Sequence, residues 1–95
     1  MEFLTKKNEL SLCKELLSTD QKLLKAEKEA LYAVTEVYHE NLMGDIALRR
    51  NCLEAMSLCR KEIKKLTDEI KAKISTIDTL FNELNRLQDK LMGRE

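Results

Sequence analysis

In the second half of the chain, apolar residues recur at alternating spacings of three and four, so that they lie along one face of a helix. With Met56 as the first position of a seven-residue repeat, ten of the eleven first and fourth positions up to residue 91 are apolar. A repeat sustained over this length predicts a coiled-coil seam. Its predicted residues are Met56, Ile63, Leu66, Ile70, Ile77, Leu80, Leu84 and Leu87.

Three features of this repeat bear on the partner of the predicted helix. Isoleucine at the first position with leucine at the fourth is the choice that favours a parallel two-stranded pair. However, Ile74 and Phe81 fall beside the seam and widen the stripe, so that further helices could cover it. Lys73 is the one polar residue at a core position. It either snorkels, with its stem packed and its ammonium in water, or fixes register or orientation.

The first half of the chain also has helical periodicity, but its stripe is broader. Apolar pairs of adjacent residues recur every seven positions, beginning with Leu16–Leu17 and Leu23–Leu24. Such a face suits a helix that touches two neighbours. When the frame of the second half is extended backwards, its first position becomes polar, so the stripe changes face between the halves. We expect a second interface at Leu16, Leu17, Leu23, Leu24 and Leu31.

The change of face coincides with Gly44, one of two glycines in a chain without proline. Gly44 fits the residue after a helix end, in the left-handed conformation, and Asp45 fits the N-cap of a following helix. We therefore predict a single coiled-coil domain over 1–95, with helices at about 2–42 and 46–92 and a hinge at 43–45. An antiparallel hairpin is favoured over one continuous rod with a stutter at Gly44, and both remain open because glycine costs a helix only about 1 kcal/mol.

Neither predicted helix is expected to be stable alone, because most helical stability comes from packing. A hairpin would leave part of the broad first stripe uncovered. We therefore expect self-association, as a dimer or a four-helix bundle, or association with another coiled-coil protein.

Composition excludes several other classes of protein. The chain has 17 Lys and Arg against 17 Asp and Glu, and no apolar run approaches the length of a membrane-spanning helix. Nucleic-acid and membrane partners are therefore not expected. The three cysteines have neither the spacing of a zinc site nor that of a disulfide framework. We interpret them as small buried residues in a reducing intracellular compartment, cytoplasmic or nuclear, with a disulfide between copies at Cys52 or Cys59 as the alternative.

Three local patterns raise the question of a chemical or membrane-binding site. Glu36 and His39 have the spacing of a bundle metal ligand pair, but their apolar neighbours turn them to the rim, and no metal or cofactor is expected. The stretch 49–65 carries six Lys and Arg against two Glu and leads into the repeat as a DNA-binding basic region does, yet Met56 and Cys59 continue the apolar seam through it. The segment 1–17 could lie on a membrane surface, although its acidic residues weaken that idea.

The predicted function is therefore non-enzymatic. We expect an oligomerisation or scaffolding module that mediates protein–protein assembly through apolar helix stripes. Two alternatives remain, which are a nucleic-acid-binding helix using 49–65 and a small helical chaperone or tether that binds client helices.

Overall fold

The computed structural model describes residues 2–93, and the ends of the predicted domain, residues 1, 94 and 95, lie outside them. The described residues form two α-helices, α1 (Glu2–Glu40) and α2 (Ile46–Leu91), and contain no strand. The predicted all-α class is confirmed. The absence of proline and the rarity of glycine account for helices this long, because neither helix contains a residue that breaks the backbone hydrogen-bond ladder.

The turn between the helices is held by a set of local hydrogen bonds. Gly44 N donates to Asn41 O over 3.0 Å, and the side-chain amide of Asn41 donates to Val37 O over 2.7 Å. From the start of α2, the Arg49 guanidinium donates to Leu42 O over 2.7 Å. The bond to Val37 O satisfies a carbonyl group that the end of α1 leaves without a helical partner, and the other two bonds satisfy carbonyl groups of the turn.

Asp45 is the N-cap of α2, as the sequence predicts. Its Oδ1 accepts from Ala47 N over 2.8 Å and from Leu48 N over 3.4 Å, and its carbonyl accepts the first helical bond from Arg49 N. The left-handed conformation expected at Gly44 is wrong. Among the described residues a positive φ occurs only at Gly93, at 70°, just beyond the end of α2. The α1 end needs no left-handed residue, because Asn41 satisfies a carbonyl of its last turn and Arg49 satisfies the carbonyl of Leu42 in the turn that follows.

The helices contribute to two compact units, which we describe separately. The terminal unit joins the residues of α1 up to Asp20 with those of α2 from Glu69 onward. Its core is a cluster of Leu10, Leu80 and Leu84, with Phe3, Cys13 and Ile77 packed against it. The two segments run antiparallel, because Lys6 pairs with Glu83 while Asp20 pairs with Lys73.

The turn unit comprises residues 21–68. Its most buried side chains belong to α2, at Cys52, Met56, Cys59 and Leu66, with Leu66 only 4% exposed. On α1 the facing residues are half-buried. This unit therefore packs a strongly apolar row of α2 against a row of α1 of mixed polarity.

Candidate assembly interface

The predicted stripe of α2 lies on the side that is removed from solvent. Met56, Leu66, Leu80 and Leu84 are buried. The remaining predicted residues of this stripe are half-buried, namely Ile63, Ile70, Ile77 and Leu87. We call these two rows, extended to Arg49, Cys52, Cys59 and Lys73, the α2 seam. The seven-residue spacing places them on one side of the helix, so each contributes to the contact with α1 in its own unit.

The inner side of α1 follows the same spacing but combines an apolar row with a mixed one. We call these rows the α1 seam. In the terminal unit it consists of Phe3, Lys6, Leu10, Cys13, Leu17 and Asp20. In the turn unit it consists of Leu24, Glu27, Leu31, Val34 and Tyr38.

The leucine pairs predicted as a second interface are divided between two sides of α1. Leu17, Leu24 and Leu31 are half-buried on the α1 seam. Their neighbours Leu16 and Leu23 are 46% and 51% exposed. Adjacent residues of a helix differ by about 100° in direction, so only one leucine of each pair can face α2. The other is left available for contact outside this chain.

Lys73 forms an ion pair that the apolar pattern of the sequence does not indicate. Its Nζ lies 2.6 Å from Oδ2 of Asp20, and the two side chains are only 25% and 12% exposed. The hydrogen bond to Asp20 is the main cause that raises the pKa of Lys73 above its ordinary value, although desolvation acts in the opposite direction. The snorkelling interpretation is wrong, because the ammonium is bound by a carboxylate of the facing helix. Asp20 could have been suspected, since it lies seven residues beyond Cys13 on one row.

A second ion pair in the terminal unit joins Lys6 and Glu83, with Nζ and Oε2 3.0 Å apart. Both side chains remain about one third exposed. The hydrogen bond and the charge of Glu83 raise the pKa of Lys6. Pairs exposed to this extent contribute little to stability. Together with the Asp20–Lys73 pair, the Lys6–Glu83 pair defines the antiparallel register of this unit.

The three cysteines are free thiols. Cys52 and Cys59 are buried, and Cys13 is half-buried. Burial is the main cause that raises the pKa of the Cys59 thiol, and a hydrogen bond with Glu27 adds to it. A raised thiol pKa lowers the fraction of reactive thiolate. These cysteines therefore act as small core residues, and a disulfide between copies at either buried position would require the seam to open.

The surroundings of Glu36 and His39 do not resemble a metal centre. Tyr32 donates its hydroxyl to Glu36, and this bond is the main cause that raises the pKa of Tyr32. His39 is exposed and stacks edge-on against Tyr38, with ring centroids 5.7 Å apart. Within residues 2–93 no group of three His, Cys, Asp or Glu side chains is close enough to hold a metal ion.

The basic stretch 49–65 does not form one continuous basic face. Arg49 bonds the turn carbonyl of Leu42, while Met56 and Cys59 are buried in the α2 seam. The remaining cations of the stretch are exposed. Arg50, Arg60 and Lys64 directly follow seam residues, whereas Lys61 and Lys65 lie further from the seam. Because Met56 and Cys59 within the stretch are buried, it is not the free polar helix that a DNA-reading basic region requires.

An apolar groove of about 290 Å³ opens between the helices of the turn unit. It is lined by Ala33, Val34, Val37, Asn51, Cys52 and Ala55. Four of these residues come immediately before a seam residue in sequence, namely Ala33, Val37, Asn51 and Ala55. The groove therefore shows that the flanks preceding the two seams lie on the same side of this unit.

Over residues 2–93, no helix is long and apolar enough to cross a membrane. A scan against protein-family models and searches of curated proteins and of solved structures gave no match to this chain.

Proposed function

We propose that this chain is a non-enzymatic coiled-coil hairpin that serves as an oligomerisation or scaffolding module for protein–protein assembly. The observation that carries the proposal is the set of exposed leucines on α1 that the contact with α2 leaves uncovered. Leu12 and Leu16 are 57% and 46% exposed in the terminal unit, and Leu23 is 51% exposed in the turn unit.

The hairpin part of the proposal is supported by the contacts within each unit. The ion pairs Lys6–Glu83 and Asp20–Lys73 join the first helix to the second in antiparallel order. The seven-residue spacing of buried positions in both helices is the spacing of coiled-coil packing. A short turn with its own hydrogen bonds and an N-cap at Asp45 links the two helices.

The assembly part is supported by the amount of apolar side chain left in water. In the terminal unit, Leu12 and Leu16 are four residues apart, which places them on one side of α1 there. Covering half-exposed leucines by a further helix gains roughly 25 cal/mol for each Å² of apolar surface buried. A second copy of this chain, giving a four-helix bundle, is the partner we propose first, and another coiled-coil protein would use the same residues.

The test is the mass of the assembly in solution, measured by light scattering or sedimentation over a range of concentrations. The wild-type chain should have the mass of two copies. The variant Leu16→Glu with Leu23→Glu should be monomeric and still helical, because these residues are outside the α1 seam. The matched control is Ser11→Glu with Ser18→Glu, which has the same spacing on α1 at exposed positions and should remain dimeric.

A wild-type chain that stays monomeric at every concentration would contradict self-association. It would favour a tether that binds helices of other proteins with the exposed leucines. Equal masses for the leucine variant and its serine control would show that assembly uses a different surface.

A further inference from the structure

A second surface of the turn unit combines positive charge with exposed apolar side chains. It contains five exposed cations, two from α1 and three from α2. We call it the basic face, and its cations are Lys25, Lys28, Arg50, Arg60 and Lys64. The chain as a whole has no net charge, so this concentration of one sign is local.

Both helices contribute to this face because of their positions relative to the seams. Lys25 and Lys28 come immediately after the α1 seam residues Leu24 and Glu27. On α2, each cation likewise follows a seam residue, as Arg60 follows Cys59. The groove shows that the flanks preceding the seams share one side. The flanks following the seams therefore share the opposite side.

No residue of this flank is itself acidic, and Glu29 beside it lines a surface pocket with Lys25, Lys28 and Tyr32. In the turn unit, none of the residues that directly follow a seam residue is Asp or Glu. Two acidic residues are bonded to side chains of the face, namely Asp68, whose Oδ2 lies 3.0 Å from Lys64 Nζ, and Glu36, which accepts the hydroxyl of Tyr32. Both side chains of the Lys64–Asp68 pair are mostly exposed, so Lys64 can exchange Asp68 for another carboxylate at little cost.

Apolar side chains are interleaved with the cations, and they decide between possible partners. Tyr32 is 68% exposed, and Leu53 is 49% exposed beside Arg50 in a pocket with Ile46. Phosphate groups along a nucleic-acid duplex would pair with the cations but would leave these side chains in water. An amphipathic helix can place its apolar face against them while its acidic residues reach the cations.

We propose that the basic face of the turn unit docks an acidic amphipathic helix of a partner protein. The inference deepens the proposed scaffolding function and rests on it, since it names the chemistry of one assembled partner. The complementary charges set orientation and speed of association, while the apolar contacts contribute affinity.

The experiment measures binding of a labelled amphipathic peptide of about five turns, with a leucine stripe flanked by glutamates, by fluorescence anisotropy. The same peptide with lysine flanks, a random DNA duplex and vesicles containing phosphatidylserine are compared with it. The charge-reversal variant is Lys28→Glu with Arg60→Glu. Its matched control is Lys22→Glu with Lys61→Glu, the same change at exposed positions of the same helices away from the seams.

The expected result is that the acidic peptide binds, and that the variant weakens binding about tenfold or more while the control leaves it unchanged. Raising the salt concentration from about 0.05 to 0.3 M should also weaken binding of the acidic peptide to the wild-type chain. Leu53→Ser should also weaken it, which simple charge attraction would not predict. Circular dichroism of each variant verifies that the helices are intact.

The inference is overturned if the acidic peptide does not bind, or if it binds no better than the lysine-flanked peptide. Tighter binding of duplex or vesicles than of the peptide would assign the face to phosphate groups instead. Loss of the dimer mass in Lys28→Glu with Arg60→Glu would mean that a second copy occupies the face. A wild-type chain that is monomeric at every concentration would contradict the proposed self-association but not this result.

Discussion

Replacing Leu66 by alanine tests whether the α2 seam holds the fold. Leu66 is 4% exposed, the most thoroughly buried of the core side chains. The substitution removes three carbon atoms from the contact, and at about 0.8 kcal/mol for each buried carbon group the lost transfer free energy is about 2.4 kcal/mol. An incompletely closed cavity adds to this, so we expect a loss of about 3 kcal/mol in the free energy of unfolding.

The matched control is Leu58→Ala, the same change eight residues earlier in the same helix. Leu58 is 66% exposed, and leucine and alanine have similar helix propensity. Its free energy of unfolding should change by no more than about 0.5 kcal/mol. The comparison therefore isolates the contribution of burial from any effect on the helix itself.

Urea unfolding followed by far-UV circular dichroism measures both variants at one protein concentration. The midpoint for Leu66→Ala should fall with little change in the slope, and its melting temperature should fall by roughly 12–24 °C for a domain of this size. If Leu66→Ala costs less than about 1 kcal/mol, or if Leu58→Ala costs as much, the assignment of the buried side of α2 is wrong.

Three further predictions concern charge, the turn and the thiols. Because the pKa of Lys73 is raised in the folded chain, its stabilising contribution is complete below its ordinary pKa of 10.5 and disappears as the pH rises through the folded value. In urea unfolding at a series of alkaline pH values, the free energy of unfolding of Lys73→Met should therefore fall less steeply with pH than that of the wild type. An unchanged dependence on pH would contradict this. Gly44→Ala should leave stability equal or raise it by about 0.4–1 kcal/mol, because Gly44 lacks a positive φ and an added Cβ would meet atoms no closer than 3.5 Å. Asp45→Ala should instead cost about 1 kcal/mol through loss of the N-cap. Thermal melts measure both variants, and a larger loss for Gly44→Ala than for Asp45→Ala would refute this. With an aromatic disulfide reagent at pH 8, Cys59 should react more slowly than Cys13 until denaturant is added, and equal native rates would show that Cys59 is not protected.

The sequence predicts the inner side of α2 better than that of α1, for a physical reason. Both rows of the α2 seam are apolar apart from Arg49 and Lys73, so periodicity alone identifies them. One row of the α1 seam contains Lys6, Asp20 and Glu27, which a search for apolar stripes passes over. The leucine pairs then suggest one broad face, and only the facing helix decides which leucine of each pair turns inward.

Features that depend on long-range register could not be predicted from the local pattern. Asp20 and Lys73 are 53 residues apart, and their contact follows only once the antiparallel offset of the helices is known. The sequence predicts that α1 ends near Gly44, but it does not predict which contacts end the helix. Glycine permits a left-handed conformation without requiring it, and Asn41 with Arg49 satisfies the carbonyls by another route.

The Asp20–Lys73 pair explains why the apolar pattern of α2 does not by itself determine which helix packs against α2. Isoleucine and leucine at the core positions favour a parallel pair of α2 helices. In such a pair Lys73 would face the same lysine of a second copy, and two ammonium groups would share an apolar seam without a counter-charge. In the terminal unit Lys73 meets Asp20 at 2.6 Å instead. A pair removed from solvent contributes little net stability, but losing one partner is costly. A slip of seven residues in either direction would place Asp20 opposite a leucine, either Leu80 or Leu66. The apolar residues alone would tolerate such arrangements, so the ion pair favours both the antiparallel orientation and this register.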